Sequence, residues 1–313
     1  MYKVDGNEDL FDLVIVGAGP GGITAAIYAA RANIKVRVVE GSAPGGKMLK
    51  TGFVENYPGV SKTTGPDLGI AMFNQLNDLK VPVTYSAVTK IEKNQEYFLT
   101  YLQNGQTLIS KTVIVATGTN ERPMGLANEQ NYLNKGISYC AICDGSLYKD
   151  KPVAIIGGGN GAVEEGMYLA GIASKVYVVH RRDEFRADVF AVNQLKKMKN
   201  VEMCLSYVPH ELQGSNHVEA LVIRSVKDNS LRTLQVNCVF PYIGAIPATG
   251  FLSGLDVLSP EGFIVTNQDA ATKVPGLYGV GDCVVKKYRQ ISTAVSDGTI
   301  AALNVKEHLN RTC

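Results

Sequence analysis

Phe11-Asp12-Leu13-Val14-Ile15-Val16-Gly17-Ala18-Gly19-Pro20-Gly21-Gly22 is the stretch that decides the fold. Its first six residues, mostly apolar and β-branched, read as a buried parallel strand. An Ala-rich helical stretch over 23–32 follows the glycines. In such a turn Gly17 permits the sharp reversal, Gly19 lets the backbone approach a pyrophosphate, and Gly22 lets helix and strand pack closely. Pro20 stands inside the same turn. The helix N-terminus then offers free N–H groups and a positive dipole end to phosphates. A second strand, Val36-Arg37-Val38-Val39, ends on Glu40, whose carboxylate is placed to accept hydrogen bonds from ribose hydroxyls. Glycine-rich turns are common. Strand, glycines, helix, strand and terminal acid in this order predict a dinucleotide site.

The pattern recurs from Pro152. Val153-Ala154-Ile155-Ile156 is a strand, Gly157-Gly158-Gly159-Asn160-Gly161-Ala162 a glycine turn, 163–173 a helix and Val176-Tyr177-Val178-Val179 a second strand. Here the strand ends on His180-Arg181-Arg182, with Arg186 one turn further on. Glu40 lies 23 residues after Gly17 and His180 lies 23 residues after Gly157, so the two positions correspond. A carboxylate there favours a free ribose 2′-hydroxyl, whereas guanidinium forks bind a 2′-phosphate. A run of solvated surface charge is the plainer reading. The position of the cluster, where a 2′-phosphate would sit, favours NADPH.

Between the copies stands Cys140-Ala141-Ile142-Cys143-Asp144-Gly145. Two thiols with this spacing can close a small disulfide, and near positive charge or a helix N-terminus one becomes a thiolate at neutral pH. A structural zinc site would need two further ligands, usually a second CxxC or a His pair. Cys204, Cys238, Cys283, Cys313 and the four histidines are scattered singly. We expect a redox pair and no metal.

The 313 residues allow two domains of ordinary size. Apolar content of 45% with 19% charged residues is normal for a globular protein. A net charge of +2 argues against a dedicated nucleic-acid or membrane surface. The polar opening from Met1 to Asp9 is unlike a signal peptide, and no apolar run approaches bilayer length. Six cysteines without framework spacing suggest a reducing compartment, and a cytoplasmic location is expected.

Gly45-Gly46-Lys47-Met48 and Val54-Glu55-Asn56-Tyr57-Pro58-Gly59 carry loop and turn signals. A helix is predicted from Gly65 or Pro66 to about Leu79, then strands over 85–91, 97–102 and 107–110 with a turn at Asn104-Gly105. A buried strand over 112–119 closes on small residues that include Thr117 and Gly118. After the second copy come apolar strands over 236–242 and 263–266, and a turn plus strand ending on Gly281-Asp282. A final helix runs to about Leu309. The fold class is α/β. A first domain over 1–118 and 247–313 is interrupted by a second over 119–246, with crossings near 117–120 and 244–248 that can serve as hinges.

These motifs, with His180-Arg181-Arg182-Asp183-Glu184-Phe185-Arg186-Ala187 and Tyr288-Arg289-Gln290, resemble the small, bacterial-type thioredoxin reductases among the two-dinucleotide-domain flavoprotein disulfide reductases. The resemblance runs from about Phe11 to Leu309. It implies FAD in the first Rossmann-like domain, NADPH in the second, a homodimer, and rotation of one domain against the other during each cycle. The implied route is hydride from NADPH to flavin, flavin to the Cys140–Cys143 disulfide, and thiols to thioredoxin. It assigns Cys143 to face the flavin, Cys140 to attack the substrate disulfide, and Asp144 to general acid–base work. Beside FAD it places Gly17, Gly19, Pro20, Gly22, Glu40, Gly45, Gly46 and Lys47. Asn56, Thr117, Gly118, Gly281, Asp282, Arg289, Gln290 and Ile291 complete that set. Beside NADPH it places Gly157, Gly159, Asn160, Gly161, Ala162, His180, Arg181, Arg182 and Arg186.

The chain departs from the family pattern at Lys47, where Gln is usual, at Gly161 for Ser or Thr, and at Cys283 for Val. Lys286 and Lys287 stand where acidic residues are common. Lys47 either turns to solvent or sets its ammonium near the flavin pyrimidine edge. Three alternatives to a thioredoxin reductase are an NADPH-dependent reductase of another CxxC carrier, a ferredoxin or flavodoxin reductase on the same scaffold, and a regulator whose cysteines sense oxidation. The ferredoxin and flavodoxin reductases lack the CxxC.

Overall fold

Leu13, Val14, Ile15 and Val16 are all buried, as a continuous apolar run requires of a strand covered on both faces. They belong to the strand Leu10–Val16 in a computed structural model that describes residues 10–51 and 53–312. The opening Met1 to Asp9, and Cys313, lie outside the described residues. The chain forms two compact units, one from 10–50, 54–120 and 246–312, the other chiefly from 121–245. A short two-stranded ribbon, Thr119–Glu121 with Ala245–Pro247, carries both crossings.

In the first unit, Leu10–Val16 lies between Val36–Glu40 and Thr107–Val115, parallel to both. Val83–Tyr85 extends the parallel part beyond Val36–Glu40, and Phe98–Leu102 with Val88–Lys93 adds an antiparallel edge. The strands expected separately over 107–110 and 112–119 are one strand that changes partner. Residues up to Ser110 pair antiparallel with Phe98–Leu102, and Val113 to Val115 pair parallel with Leu277–Gly279. The chain leaves that strand at Val115, and pairing resumes at Thr119. Pairing at 263–266 is confined to bridges at Ile264, too little for the expected strand. One face of the sheet is covered by the helices Pro20–Arg31 and Ile291–Thr312 through Ile23, Ala26, Ala301 and Val305. The other packs Phe98, Val113, Leu252 and Cys283.

In the second unit the order is Val201–Leu205, Lys175–His180, Pro152–Ile156, Cys238–Pro241, all parallel. The helix after the glycines spans Asn160–Ala170 rather than 163–173. Its first turn starts at the glycine turn itself and Gly171 ends it, consistent with the preference for glycine past a helix end. A three-stranded antiparallel sheet, Tyr207–Gln213, Ala220–Ser225 and Leu231–Gln235, was not foreseen. Its first strand carries a register shift between Pro209 and Glu211, which breaks the alternation that would mark it.

The helix pair of the first unit depends on missing side chains. A Cβ on Gly298 would lie 2.3 Å from the Gly21 carbonyl oxygen and 3.1 Å from the Ala25 nitrogen. Both atoms are backbone and cannot step aside. Gly298→Ala should therefore destabilise the protein by about 2 kcal/mol or more, read as a lowered urea midpoint. Gly254→Ala, which meets nothing within 4 Å, should shift it little.

Candidate active site

The first glycine turn leaves space above its backbone. Gly17 holds φ +105°, and a Cβ on Gly22 would lie 1.9 Å from the Gly17 oxygen, so helix and turn touch only through glycine. A Cβ on Gly19 would meet nothing within 4 Å. Pro20 occupies the first helical position, and no side chain caps the helix, so its leading N–H groups remain available to an anion. Glu40 ends its strand and accepts from Ala18 N–H at 2.7 Å and Ser42 N–H at 2.8 Å. These bonds fix the carboxylate at the rim of the turn and leave lone pairs for hydroxyl donors.

Other segments of the same unit close on this turn. Gly45 N–H donates to the Ala18 oxygen at 2.7 Å, and a Cβ on Gly46 would lie 3.2 Å from the Gly19 Cα. Lys47 Nζ lies 2.7 Å from Thr119 Oγ1 and 3.8 Å from Asp282 Oδ2. Its ammonium is thereby tied to the loop after Thr117 and Gly118 and to Gly281-Asp282. Asn56 Nδ2 donates to Gln290 Oε1 at 3.2 Å, which joins two motifs 234 residues apart. Ile291 packs with Met48, Val54 and Leu68. The Arg289 guanidinium donates to the Asp282 and Val284 carbonyls and lies over the Phe263 ring. That side chain pins the 282–284 loop. Gly281, at φ +74°, donates to Asp297, which also pairs with Lys286.

In the second unit Gly157 and Gly159 shape an equivalent turn, again uncapped and open above Gly159. Asn160 Oδ1 accepts from Asp188 N–H at 2.8 Å, and Arg186 N–H donates to the Gly158 oxygen at 2.8 Å. The loop bearing the basic residues is thus fastened to the glycine turn. Arg181, Arg182 and Arg186 are exposed, without an ion pair among the described residues. His180 departs from the expected cluster. It is 6% exposed, its ring stacks on Phe185 at 5.1 Å, and a Cβ on Gly158 would lie 2.2 Å from that ring. Burial, helped by the neighbouring arginines, lowers its pKa. It therefore supports the turn from beneath as a neutral ring, and the exposed charges at this strand end are the guanidiniums. Ala162 is buried behind the turn, and Gly161 has room for a larger residue, with only Tyr242 at 3.5 Å.

Cys140 and Cys143 form a disulfide with Cα atoms 5.2 Å apart. Cys140 caps the helical turn Ala141–Asp144, and its Sγ accepts from Cys143 N–H at 3.2 Å. Ala141 N–H donates to the Tyr242 hydroxyl at 2.9 Å. Asp144 Oδ2 accepts from Ser138 Oγ at 2.7 Å. Neither Tyr242 nor Ser138 is marked in the sequence: one lies 101 residues from its partner, and the other carries no motif spacing. Glu165, half-buried and beside Glu164, is pushed up to about 7 by that partial burial. No group of described residues could hold a metal ion, and no described helix is long and apolar enough to cross a membrane.

The remaining described cysteines are buried, and burial pushes Cys204 up to about 11 and Cys238 up to about 12. Cys283, wholly buried, is raised as well. After mild reduction, iodoacetamide should alkylate Cys140 and Cys143 while Cys204, Cys238 and Cys283 stay unmodified until denaturant is added. Peptide mass spectrometry reads the result.

Comparison with known proteins agrees with this geometry. Residues 11–298 match the family of pyridine nucleotide-disulphide oxidoreductases. The chain is 47% identical over 304 residues to a thioredoxin reductase of Mycoplasma pneumoniae, covering 97% of this chain and 96% of that one. It is 42% identical to a thioredoxin reductase of Ureaplasma parvum, covering 97% and 99%. The crystal structure of thioredoxin reductase from Streptococcus pyogenes matches with a TM-score of 0.87 at 39% identity, covering 96% and 99%. With both glycine turns and the disulfide in place, the chain belongs to the pyridine nucleotide-disulphide oxidoreductases and, within them, to the thioredoxin reductases.

Proposed function

We propose that this oxidoreductase carries reducing equivalents from NADPH through FAD and the Cys140–Cys143 disulfide to thioredoxin. The observation that carries the reading is the disulfide beside Asp144, in the same unit as a glycine turn flanked by three exposed guanidiniums. The first unit fits FAD: the space above Gly19 admits a pyrophosphate, and Glu40 offers lone pairs to ribose hydroxyls. Gly17, Pro20, Gly22, Gly45 and Gly46 frame that phosphate region. Lys47, Asp282, Thr117, Gly118 and Gly281 border the same cradle, which Asn56, Gln290 and Ile291 close and Arg289 braces. In the second unit Gly157, Gly159, Asn160, Gly161 and Ala162 take the NADPH pyrophosphate, and Arg181, Arg182 and Arg186 its 2′-phosphate.

FAD held there would supply the acceptor for a hydride from NADPH and the electron pair that the disulfide takes up. Reduction of a disulfide to two thiols consumes two electrons and two protons. The hydride brings both electrons and one proton, so one proton comes from the protein or water. Asp144 is the carboxyl next to the pair and serves as its acid and base. Cys143 faces the flavin and Cys140 attacks thioredoxin. The Cys143 N–H at 3.2 Å from Cys140 Sγ supports that assignment, because a hydrogen bond to a thiolate favours the charged form. The family relationship supports a homodimer, and buried free thiols fit the reducing cytoplasm.

The decisive assay is NADPH-dependent disulfide reduction with a panel of thioredoxins; no turnover with any of them would refute the reading. Arg181→Ala with Arg182→Ala should cut the preference for NADPH over NADH more than tenfold, since each charge-assisted bond is worth roughly 1.5–3 kcal/mol. An unchanged preference would remove the phosphate assignment. Cys140→Ser and Cys143→Ser should each abolish thioredoxin turnover while bleaching of the flavin band by NADPH persists.

A further inference from the structure

Ser138 lies two residues before Cys140 and is 6% exposed. Its hydroxyl accepts from Cys140 N–H at 3.2 Å and has two acceptors in reach, Asp144 Oδ2 at 2.7 Å and the Cys140 carbonyl at 3.3 Å. A hydroxyl has one proton to give. The carboxylate is the nearer and the stronger acceptor, so the proton goes to Oδ2. The other oxygen of the same carboxyl, Oδ1, is buried and has no hydrogen-bond partner among the described residues. The two oxygens of Asp144 are therefore unequal: one is held by a donor anchored on the Cys140 backbone, the other is open to a proton.

We infer that Ser138 is a positioning residue for proton transfer: it fixes Asp144 Oδ2 to the Cys140 backbone, so that Asp144 takes and releases its proton at Oδ1. The inference rests on the reading of Asp144 as acid and base for the cysteine pair. A donor to a carboxylate favours its ionised form, and Ser138 is that donor at Oδ2. When Cys140 moves to attack a substrate disulfide, the same hydroxyl ties the carboxyl to the backbone of the residue that moves.

Other groups face this carboxyl. Tyr148 and Cys238, hydrogen-bonded to each other, lie on one side and Tyr242 on another. Burial raises the pKa of all three, so they stay neutral through the working range. Glu121 and Glu165 face Tyr242, and Glu165, pushed up to about 7, changes charge within that range. Its contribution has to be separated.

The test uses the full-length holoenzyme with Ser138→Ala, Ser138→Thr, Asp144→Asn and Glu165→Gln. Two profiles are recorded against pH: kcat with NADPH and thioredoxin, and the alkylation rate of each thiol of the reduced pair by peptide mass spectrometry. Ser138→Ala should move the Asp144-dependent ionisation upward in both profiles by about one pH unit or more. It should lower kcat about tenfold with KM for NADPH unchanged, and Ser138→Thr should restore both. If Asp144→Asn leaves the ionisation in place, the acid–base reading of Asp144 falls. If Asp144→Asn removes it while Ser138→Ala leaves it unmoved, the reading stands and the inference about Ser138 is overturned. If Glu165→Gln removes it, the ionisation belongs to Glu165 and both fall.

Discussion

Everything in the first unit depends on one backbone contact. The helix Pro20–Arg31 meets its own strand where a Cβ on Gly22 would stand 1.9 Å from the Gly17 oxygen. That distance is far inside van der Waals contact, so a side chain there would lift the helix off the sheet. With the helix seated, its N-terminus points over the turn and its outer side accepts the Ile291–Thr312 helix through Gly298. The loops of Gly45 and Asp282 then have a fixed rim to close upon. The open helix N-terminus over the turn and the core packing are two results of the same close approach.

The second unit repeats the turn with the opposite sign of charge at the strand end. Glu40 sits where its carboxylate can cap backbone N–H groups, and two such bonds hold it. At the corresponding place the second unit turns His180 inward and leaves guanidiniums outside. One scaffold thus presents a carboxylate acceptor in one copy and exposed guanidinium donors in the other. The exchange costs the fold little because neither charged group belongs to the sheet core.

Much of this was legible because glycine at such fixed spacing after an apolar strand serves few purposes besides a phosphate turn. The strands flanking Gly17 and Gly157 were visible because buried parallel strands are continuously apolar. Burial that depends on a distant partner stayed hidden. His180 reads as the first member of a basic cluster, yet it packs beneath Gly158 and Phe185 because its backbone closes the strand Lys175–His180. Arg289 reads as part of a motif, and its bonds to the carbonyls of 282 and 284 and its place over the Phe263 ring have no local signal. The antiparallel sheet beginning at Tyr207 stayed invisible, since Pro209 and the shift to Glu211 interrupt its period of two. Tyr242 belongs to no local pattern, and only the fold brings its hydroxyl to Ala141.

The interrupted chain order also sets a timetable for synthesis. The strand Leu277–Gly279 and the helix Ile291–Thr312 belong to the first unit, and both are made after the second. The second unit, ending near Ala245, is synthesised before they are. Until then Ile23, Ala26 and the outer edge of Val113–Val115 have no permanent cover. The nascent first unit waits half-built while the inserted one folds, its apolar face exposed to chaperones and to neighbouring chains. A chain cut short before Leu277 would carry the redox pair on its second unit, attached to a first unit that cannot close.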